Sequence, residues 1–332
     1  MAKKKGGSTK RAFDWRTYSK PMRLLSDDQE SAFAEGGMLA PLLAWTLSDP
    51  LTRFEIRARK AGFYHRGVSL ARISGEPPRL TAEVALPTGA AAEQLALETP
   101  DAVAELVASL EARRASIDAE FSSGTQSRNH RSYATAFARG NAGGDLFADE
   151  IVILDSEHAV GKRKIDLVGL LRTEGVTGPG GFSSPSLVFV DVRSPERPAT
   201  GNNGPAAVAS DLADFAKALA GEHRNRTGAE MLRLAAQKVR LGLAPEELEV
   251  RSVREGMPWL VVAFCEIDPT DRANDLAIHQ LHDRLAAKHF PVEQRLRFAH
   301  LTSAPEDGEG LTVGAGDLMT YREFKTYRTA NR

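Results

Sequence analysis

Residues 151–158 read Ile-Val-Ile-Leu-Asp-Ser-Glu-His, residues 164–171 read Lys-Ile-Asp-Leu-Val-Gly-Leu-Leu, and residues 187–193 read Leu-Val-Phe-Val-Asp-Val-Arg. Each run is apolar and rich in β-branched side chains, and Gly, Pro or Ser residues bound it. Runs of this length and composition are typical of strands in a buried sheet. The sequence therefore predicts three such strands at the centre of the chain.

Each of these predicted strands also carries a carboxylate: Asp155 or Glu157 in the first, Asp166 in the second and Asp191 in the third. An unpaired acid inside a buried strand costs on the order of several kcal/mol, so something must pair with these side chains or coordinate them. A shared divalent cation is one explanation. The other is an internal salt-bridge network that neutralises Asp166 and Asp191 without any ligand. The basic residues available for it are Arg163, Lys164 and Arg193.

Asp166 on one strand and Asp191-Val192-Arg193 on the next resemble the PD-(D/E)XK pattern of the restriction-endonuclease-like nucleases. Residues 164–168, Lys-Ile-Asp-Leu-Val, resemble the [RK]-[FI]-D-L-[VL] form of the second strand in many bacterial members. Residues 155–158, Asp-Ser-Glu-His, resemble their D-x-E-Y turn, and residues 201–220 resemble the glycine-rich loop and helix after the (D/E)XK strand. The chain is thus similar to a bacterial branch of this superfamily with Asp-x-Arg in place of (D/E)-x-Lys.

The resemblance implies a catalytic site with Mg²⁺, or Mn²⁺, held by Glu157, Asp166 and Asp191. The family's lysine, which helps to activate the attacking water, is replaced by Arg193. Arginine stays protonated and cannot act as a base, although it can hold a phosphate or a developing negative charge. Arg193 is therefore expected to brace the phosphate. Lys238, on a later predicted helix, is a candidate replacement for the missing lysine, and the alternative is an ordinary solvated helix lysine.

The fold class that the resemblance implies is α/β. From residue 100 to residue 267 the predicted order is helix, three strands, helix and strand, which is the αβββαβ core of the restriction-like fold with its mixed central sheet. Residues 53–86 alternate with a period of two, which predicts a small antiparallel meander behind an N-terminal helix. We expect a disordered basic arm at residues 1–20, the helix and meander at residues 21–98, and the nuclease-like core with a C-terminal α/β extension at residues 99–332.

Basic residues cluster in the predicted meander, where six cations between residues 53 and 72 accompany a single anion, Glu55. A solvated sheet face explains such a run, and a contact surface for the backbone of a nucleic-acid duplex is the alternative. Under the alternative, the expected nucleic-acid contacts of the whole chain are Arg57, Arg59, Lys60, Arg66, Arg163, Lys164 and Lys238.

The overall composition indicates an ordinary globular protein, with 42% hydrophobic and 26% charged residues among 332. The formal net charge of −1 means that any site for a polyanion must be a local patch. The single cysteine, Cys265, excludes an internal disulfide and is predicted to be a buried structural thiol. No signal peptide and no run approaching the ~18 apolar residues of a membrane span is visible, so a cytoplasmic location is expected.

Two functions follow from the resemblance, and the salt-bridge network remains as the interpretation without a ligand. The first is a Mg²⁺-dependent nuclease acting on phosphodiester bonds, of DNA rather than RNA, in bacterial restriction or phage defence. The second is a catalytically weakened or inactive protein of the same fold that serves as a nucleic-acid-binding or assembly subunit beside a protein partner in a defence system. The arginine at position 193 favours the second, and the oligomeric state stays open.

Overall fold

The structure is a computed structural model that describes residues 23–85, 92–123, 130–160, 163–195, 212, 222–266, 268, 271–301 and 311–330. The basic arm predicted at residues 1–20 lies outside the described residues. So does the glycine-rich loop and helix predicted at residues 201–220, apart from residue 212.

Two short helices, α1 (Asp27–Phe33) and α2 (Ala40–Leu47), precede the first sheet. Ser26 begins α1 with a capping box: its hydroxyl accepts from the backbone of Gln29 at 3.2 Å, and its own N–H donates to the Gln29 side chain at 3.1 Å. The first sheet is antiparallel, and its strands follow one another in chain order, as predicted for a meander. They are β1 (Thr52–Arg57), β2 (Lys60–His65), β3 (Val68–Glu76), β4 (Arg79–Val84) and β5 (Glu93–Ala96).

One face of the first sheet is exposed to solvent, which is clearest in β4. Leu80, Ala82 and Val84 are buried, and the residues between them are exposed. Helix α3 (Pro100–Ser122) packs against α2, β3 and β5 through its apolar stripe. This helix therefore belongs in space to the first sheet, whereas the sequence predicts it as the helix ahead of the core strands.

The second sheet is mixed, with the strand order β10-β9-β8-β7-β6. Strands β6 (Ile151–Val160), β7 (Arg163–Leu171) and β8 (Ser186–Arg193) pair antiparallel, and β9 (Trp259–Cys265) and β10 (Leu296–Leu301) continue from β8 in parallel. Helices make the crossovers that parallel pairs require. Among the described residues, the α-helices of this half are α4 (His130–Gly140), α5 (Glu222–Arg240), α6 (Arg272–Ala287), α7 (Val292–Arg295) and α8 (Tyr321–Ala330).

Strand β8 is buried along both faces. Leu187 and Phe189 belong to one core cluster, and Val188, Val190 and Val192 belong to a second. The first cluster extends from the first sheet through α5 to the second sheet, and α4 packs on β6, β7 and β8 as part of the second. A strand covered on both sides is continuously apolar, which explains why these runs stand out in the sequence.

The mixed α/β architecture is therefore confirmed, whereas the restriction-like αβββαβ core stays a prediction. The helix predicted at the start of that core is α3, which packs on the first sheet, and the helix directly before β6, β7 and β8 is α4. Cys265 is a free, fully buried thiol at the end of β9, with a pKa that burial raises to about 12. The boundary near residue 98 stays a prediction. Among the described residues, no helix combines the length and the apolar character needed to cross a membrane.

Candidate functional site

Asp166 and Asp191 lie on neighbouring strands, at the end of the β7–β8 ladder. The last pair of that ladder is Leu167 with Val190, so each acid is the next residue on its strand. Beyond this pair, Oδ2 of Asp166 accepts a hydrogen bond of 2.8 Å from the backbone N–H of Val192. The register of the two strands places the acids side by side. The Asp166 carboxylate, however, is hydrogen-bonded to the backbone of β8.

Asp191 is neutralised by Arg193, two residues further along β8. Residues i and i+2 of a strand lie on one face, and both Nε and a terminal nitrogen of Arg193 donate to Oδ2 of Asp191. Only 2% of Asp191 and 3% of Arg193 is exposed. The second acid of the predicted metal pair is therefore closed off by a guanidinium.

Asp166 has a further partner on helix α4. Nε2 of His130 lies 3.1 Å from Oδ1 of Asp166, so each oxygen of this carboxylate makes a polar contact. The Asp166 side chain is partly accessible. It is thus the acid of the β7–β8 pair that solvent or a ligand reaches.

Asp166 lines a pocket between the two sheets, with about 490 Å³ of empty space including its opening to solvent. Strands β1 and β2, helix α4 and strands β6 and β7 form the walls. Glu157 lines the same pocket, whereas Asp191 and Arg193 do not. The structure therefore brings together two of the three predicted metal ligands and separates the third. The charged or titratable side chains at the pocket are Arg53, Glu55, Arg57, Tyr64, His130, Arg131, Glu157 and Asp166.

Glu157 lies at a strained position in β6. Its backbone φ is +49°, in the left-handed region that non-glycine residues seldom adopt. Arg23 holds this backbone by donating to the carbonyl oxygens of Ser156 and Glu157 over 2.9 Å each. The carboxylate of Glu157 lies 3.0 Å from the Arg131 guanidinium, and their side chains are 39% and 59% exposed. This acid is therefore at the rim of the pocket, already paired with a cation.

Asp155, the other acid of the first run, is completely buried. Arg23 Nε lies 3.1 Å from its carboxylate, a terminal nitrogen of Arg57 lies 2.9 Å away, and Nδ1 of His158 lies 2.7 Å away. Burial alone would raise the pKa of Asp155. The hydrogen bond from His158 and the charges of Arg23 and Arg57 outweigh it and hold the pKa below its usual value. Asp155 is therefore the centre of an interior ion-pair network.

Glu55 of β1 is another buried carboxylate, and it lies outside the sequence motifs that predict the site. It pairs with Arg53 and, at 3.2 Å, with Arg57. Burial raises its pKa, and the charges of Arg53 and Arg57 lower it by more, so the net shift is downward. The available signal was the alternation of charged residues 53, 55 and 57 with apolar ones, which places three charges on one face of β1.

The residues present do not fit a Mg²⁺ ion shared by Glu157, Asp166 and Asp191. Each of the three carboxylates already contacts a basic side chain. In the part of the chain that the structure describes, no group of three or more His, Cys, Asp or Glu side chains is placed to hold a metal ion. Mg²⁺ requires near-octahedral oxygen ligands and loses its water reluctantly, so oxygens that face guanidinium groups disfavour it.

The predicted nucleic-acid contacts on the first sheet fall into two groups. Arg57 is occupied by two buried carboxylates, and Arg66 is paired with Asp118 at 2.6 Å. Arg59 in the β1–β2 turn and Lys60 at the start of β2 are exposed, and the carboxylate of Glu76 lies 3.9 Å from Arg59. Of these four residues, Arg59 and Lys60 are therefore the two whose charged groups face solvent.

The predicted contacts of the second half also differ from one another. Lys164 is exposed on β7. The side chain of Arg163, the first residue of β7, lies outside the described residues. Lys238 is only 5% exposed on α5. Its interpretation as a solvated helix lysine is therefore wrong, and its ammonium group does not lie on the outer surface.

Comparisons of the chain with protein-family models, with curated proteins and with solved structures gave no match. The likeness to restriction-endonuclease-like nucleases therefore rests on the sequence motifs within residues 155–220.

Proposed function

We propose that this chain is a restriction-endonuclease-like protein in which ion pairs replace the metal site, and that it serves as a nucleic-acid-binding or assembly subunit in bacterial restriction or phage defence. The observation that carries this proposal is the buried pair of Asp191 and Arg193. In the family pattern these positions hold a metal ligand and the lysine near the attacking water. In this chain they neutralise each other.

Arg193 brings to Asp191 the positive charge that a metal ion would otherwise supply. Removing one partner of a buried ion pair leaves an uncompensated charge, which costs about 3–5 kcal/mol. A divalent cation would have to offset that free energy and also shed water before it reached the carboxylate. Arginine stays protonated at physiological pH and is no general base. These properties favour binding over hydrolysis.

Exposed cations near the pocket offer contacts for a phosphate backbone. Arg131 lines the pocket with more than half of its side chain exposed, and Lys164 is exposed two residues before Asp166. Lys60 is exposed opposite Arg57, a residue of the pocket wall. Cations that neutralise phosphates give an affinity that falls with rising salt and carries little sequence information. DNA is the expected partner, from the restriction-like motifs.

A Mg²⁺-dependent nuclease is the second candidate function, because Glu157 and Asp166 line the same open pocket. Asp166 also bonds to the backbone of Val192, next to Asp191. The three acids named by the family pattern thus lie on three adjacent strands. This function requires Arg193 to leave Asp191.

Binding and cleavage assays separate the two functions. We expect a short labelled DNA duplex to bind, by fluorescence anisotropy, equally well in EDTA and in Mg²⁺, with an affinity that falls as salt rises. We expect plasmid, linear and single-stranded substrates to stay intact with Mn²⁺ as the permissive ion. Metal-dependent cleavage that Asp166→Ala abolishes would establish the nuclease instead.

Charge-removing variants locate the binding surface. Arg131→Ala and Lys164→Ala should each weaken duplex binding, by up to about tenfold. Arg251→Ala removes an arginine that is 70% exposed and paired with a neighbouring glutamate, and it should leave the affinity unchanged. Equal losses in all three variants would mean that the attraction is unspecific, and no binding to duplex or single strands at low salt would refute nucleic-acid binding.

A further inference from the structure

A second pocket lies between helix α2, the start of β1, helix α4 and helix α5, with about 790 Å³ of empty space including its opening to solvent. Much of its lining is apolar. Three cations, Arg53, Arg139 and Lys238, accompany one carboxylate, Asp49. The pocket thus combines apolar walls with an excess of positive charge.

Lys238 is more than nine-tenths buried at this pocket. Within the described part of the chain, its ammonium group makes no hydrogen bond and no ion pair. Glu55 acts on it from a longer distance and is already paired with Arg53 and Arg57. A lysine that is largely buried without a counter-ion is costly, so its ammonium group is available to a ligand that enters the pocket.

Arg53 supplies a second unsatisfied donor. Its Nε pairs with Glu55, while one terminal nitrogen is buried with no acceptor among the described residues. Arg139 donates to the carbonyl oxygen of Pro50 at 3.1 Å. Its pKa is lowered by burial and by the neighbouring charges of Arg53 and Arg66. Burial and repulsion between cations therefore both act on Arg139 at this pocket.

Asp49 does not neutralise these cations, because its carboxylate has other partners. It accepts from the Thr52 hydroxyl at 2.6 Å and from the Leu51 N–H at 3.0 Å. Nδ1 of His65 lies 3.2 Å away, and a terminal nitrogen of Arg114 lies 3.3 Å away. The pocket therefore keeps a positive charge and free donors.

We propose that this pocket binds a small oxyanion, a phosphate, sulfate or carboxylate group on a compact apolar body, with Lys238 and Arg53 as its charged contacts. An anion offsets the mutual repulsion of the cations and supplies the acceptors that they lack. Leu47, Phe54 and Leu243 line the rest of the pocket, which matches an apolar body. The site goes beyond the proposed nucleic-acid binding and does not depend on it.

Anion binding should be coupled to protonation of Lys238. Its pKa is lowered to about 8, mainly by burial; the charges of Arg53 and Arg57 act in the same direction, and those of Glu55 and Asp155 oppose the shift. At a pH of about 8, roughly half of the lysine is charged, and an anion that favours the charged form draws a proton from solution. Sulfate does not titrate there, so protons taken up on sulfate binding belong to the protein.

Isothermal titration calorimetry with sodium sulfate tests the proposal, at a pH of about 8, in two buffers of different protonation enthalpy. Sodium chloride at the same ionic strength is the reference. We expect saturable sulfate binding with proton uptake by the natural chain. Lys238→Met should weaken sulfate binding by about tenfold or more and abolish the uptake. Lys238→Arg should bind sulfate without proton uptake, because arginine does not titrate.

Lys325→Met, at an exposed position of α8, is the matched control and should behave like the natural chain. Acetate and methyl phosphate, titrated as competitors, identify which oxyanion group the pocket prefers. Sulfate binding that Lys238→Met leaves unchanged would overturn the proposal, and so would the lack of saturable binding beyond chloride. If Lys238→Met does not fold, the test rests on the natural chain and Lys238→Arg. Proton uptake on sulfate binding by the natural chain, and its loss in Lys238→Arg, would then support the proposal, and equal proton uptake by both would overturn it. Duplex binding is measured separately and is expected to persist in the arginine variant.

Discussion

Arg57 of the first sheet donates to Asp155 of the second sheet across 2.9 Å. The same guanidinium lies 3.2 Å from the carboxylate of Glu55 on its own strand and donates to the Ser156 hydroxyl at 3.0 Å. One largely buried arginine thus connects β1 to β6, in the wall of the pocket that Asp166 also lines. The two sheets are joined by matched charges as well as by a continuous apolar core, so the loss of one charge leaves others uncompensated.

Asp155→Ala should lower the free energy of unfolding by about 3–5 kcal/mol, because Arg23 and Arg57 would remain in the interior without this carboxylate. Urea denaturation at neutral pH, followed by tryptophan fluorescence, measures the change. Glu249→Ala is the control, since it breaks an ion pair between two exposed side chains and should leave the urea midpoint nearly unchanged. Similar losses in both variants would show that the Asp155 network contributes no more than a surface pair.

Acid should destabilise the protein through the same carboxylate. The pKa of Asp155 is lowered in the folded chain and returns to about 3.9 on unfolding. A group of this kind contributes stability above its unfolded pKa and loses that contribution as the pH falls through its folded pKa. The urea midpoint should therefore drop below a pH of about 4, and drop less steeply in Asp155→Asn. An equally steep drop in that variant would assign the acid sensitivity to other carboxylates.

Strands β6, β7 and β8 are predictable from the sequence because their signals are local. Continuous apolar runs indicate strands with two buried faces, and a period of two places Asp191 and Arg193 on one face. Coordination and ion pairing both satisfy a buried acid, so the sequence left them as alternatives. The two arginine partners of Asp155, Arg23 and Arg57, are not local, since Arg57 lies 98 residues earlier. Only the packing of one sheet on the other brings them together.

The burial of Lys238 has a signal in the sequence, which its charge obscures. It follows Met231 by seven residues, Leu234 by four and Ala235 by three, and all three are buried on α5. That spacing defines one face of a helix. Lysine is seldom fully buried without a partner. The residue type therefore predicts an exposed side chain, whereas the helical spacing predicts a buried one.

Lys238→Met should raise the free energy of unfolding at neutral pH by about 1–3 kcal/mol in buffer without oxyanions. The pKa of this lysine is about 8 when folded, against 10.5 as its ordinary value. The folded state thus disfavours the charge, and the stability of the natural chain rises as the pH increases between these two values. The advantage of the variant should shrink over the same range, as measured by urea titrations. A variant that is less stable at neutral pH would show that the charged form is favoured inside.

Arg193→Lys tests whether the Arg193 guanidinium keeps the Asp191 carboxylate from binding a metal ion. A lysine offers one nitrogen where arginine offers a fork, so we expect a loss of about 1–3 kcal/mol in the free energy of unfolding. We expect no Mn²⁺-dependent cleavage of plasmid by this variant, because the carboxylate stays paired with a cation. Cleavage that appears with lysine and disappears when Asp166→Ala is added would identify a decayed nuclease site.

Gly169 of β7 pairs with Ile153 of β6, and the backbone of β6 leaves no room there for a side chain. A Cβ added there would lie 2.3 Å from the carbonyl oxygen of Val152, closer than the 3.0 Å that real Cβ atoms respect. The obstructing atom belongs to a paired backbone, which cannot shift without opening the ladder. Gly169→Ala should therefore lower the free energy of unfolding by about 1–3 kcal/mol.

Gly180→Ala is the matched control for this strand contact, because the nearest atom to its added Cβ is 3.9 Å away on Val176. It should stay within about 0.5 kcal/mol of the natural chain. Thermal unfolding of both variants side by side makes the comparison. Equal midpoints would mean that β6 and β7 can separate at Gly169 without loss. The spacing of the two strands that carry Asp166 and Glu157 would then be adjustable.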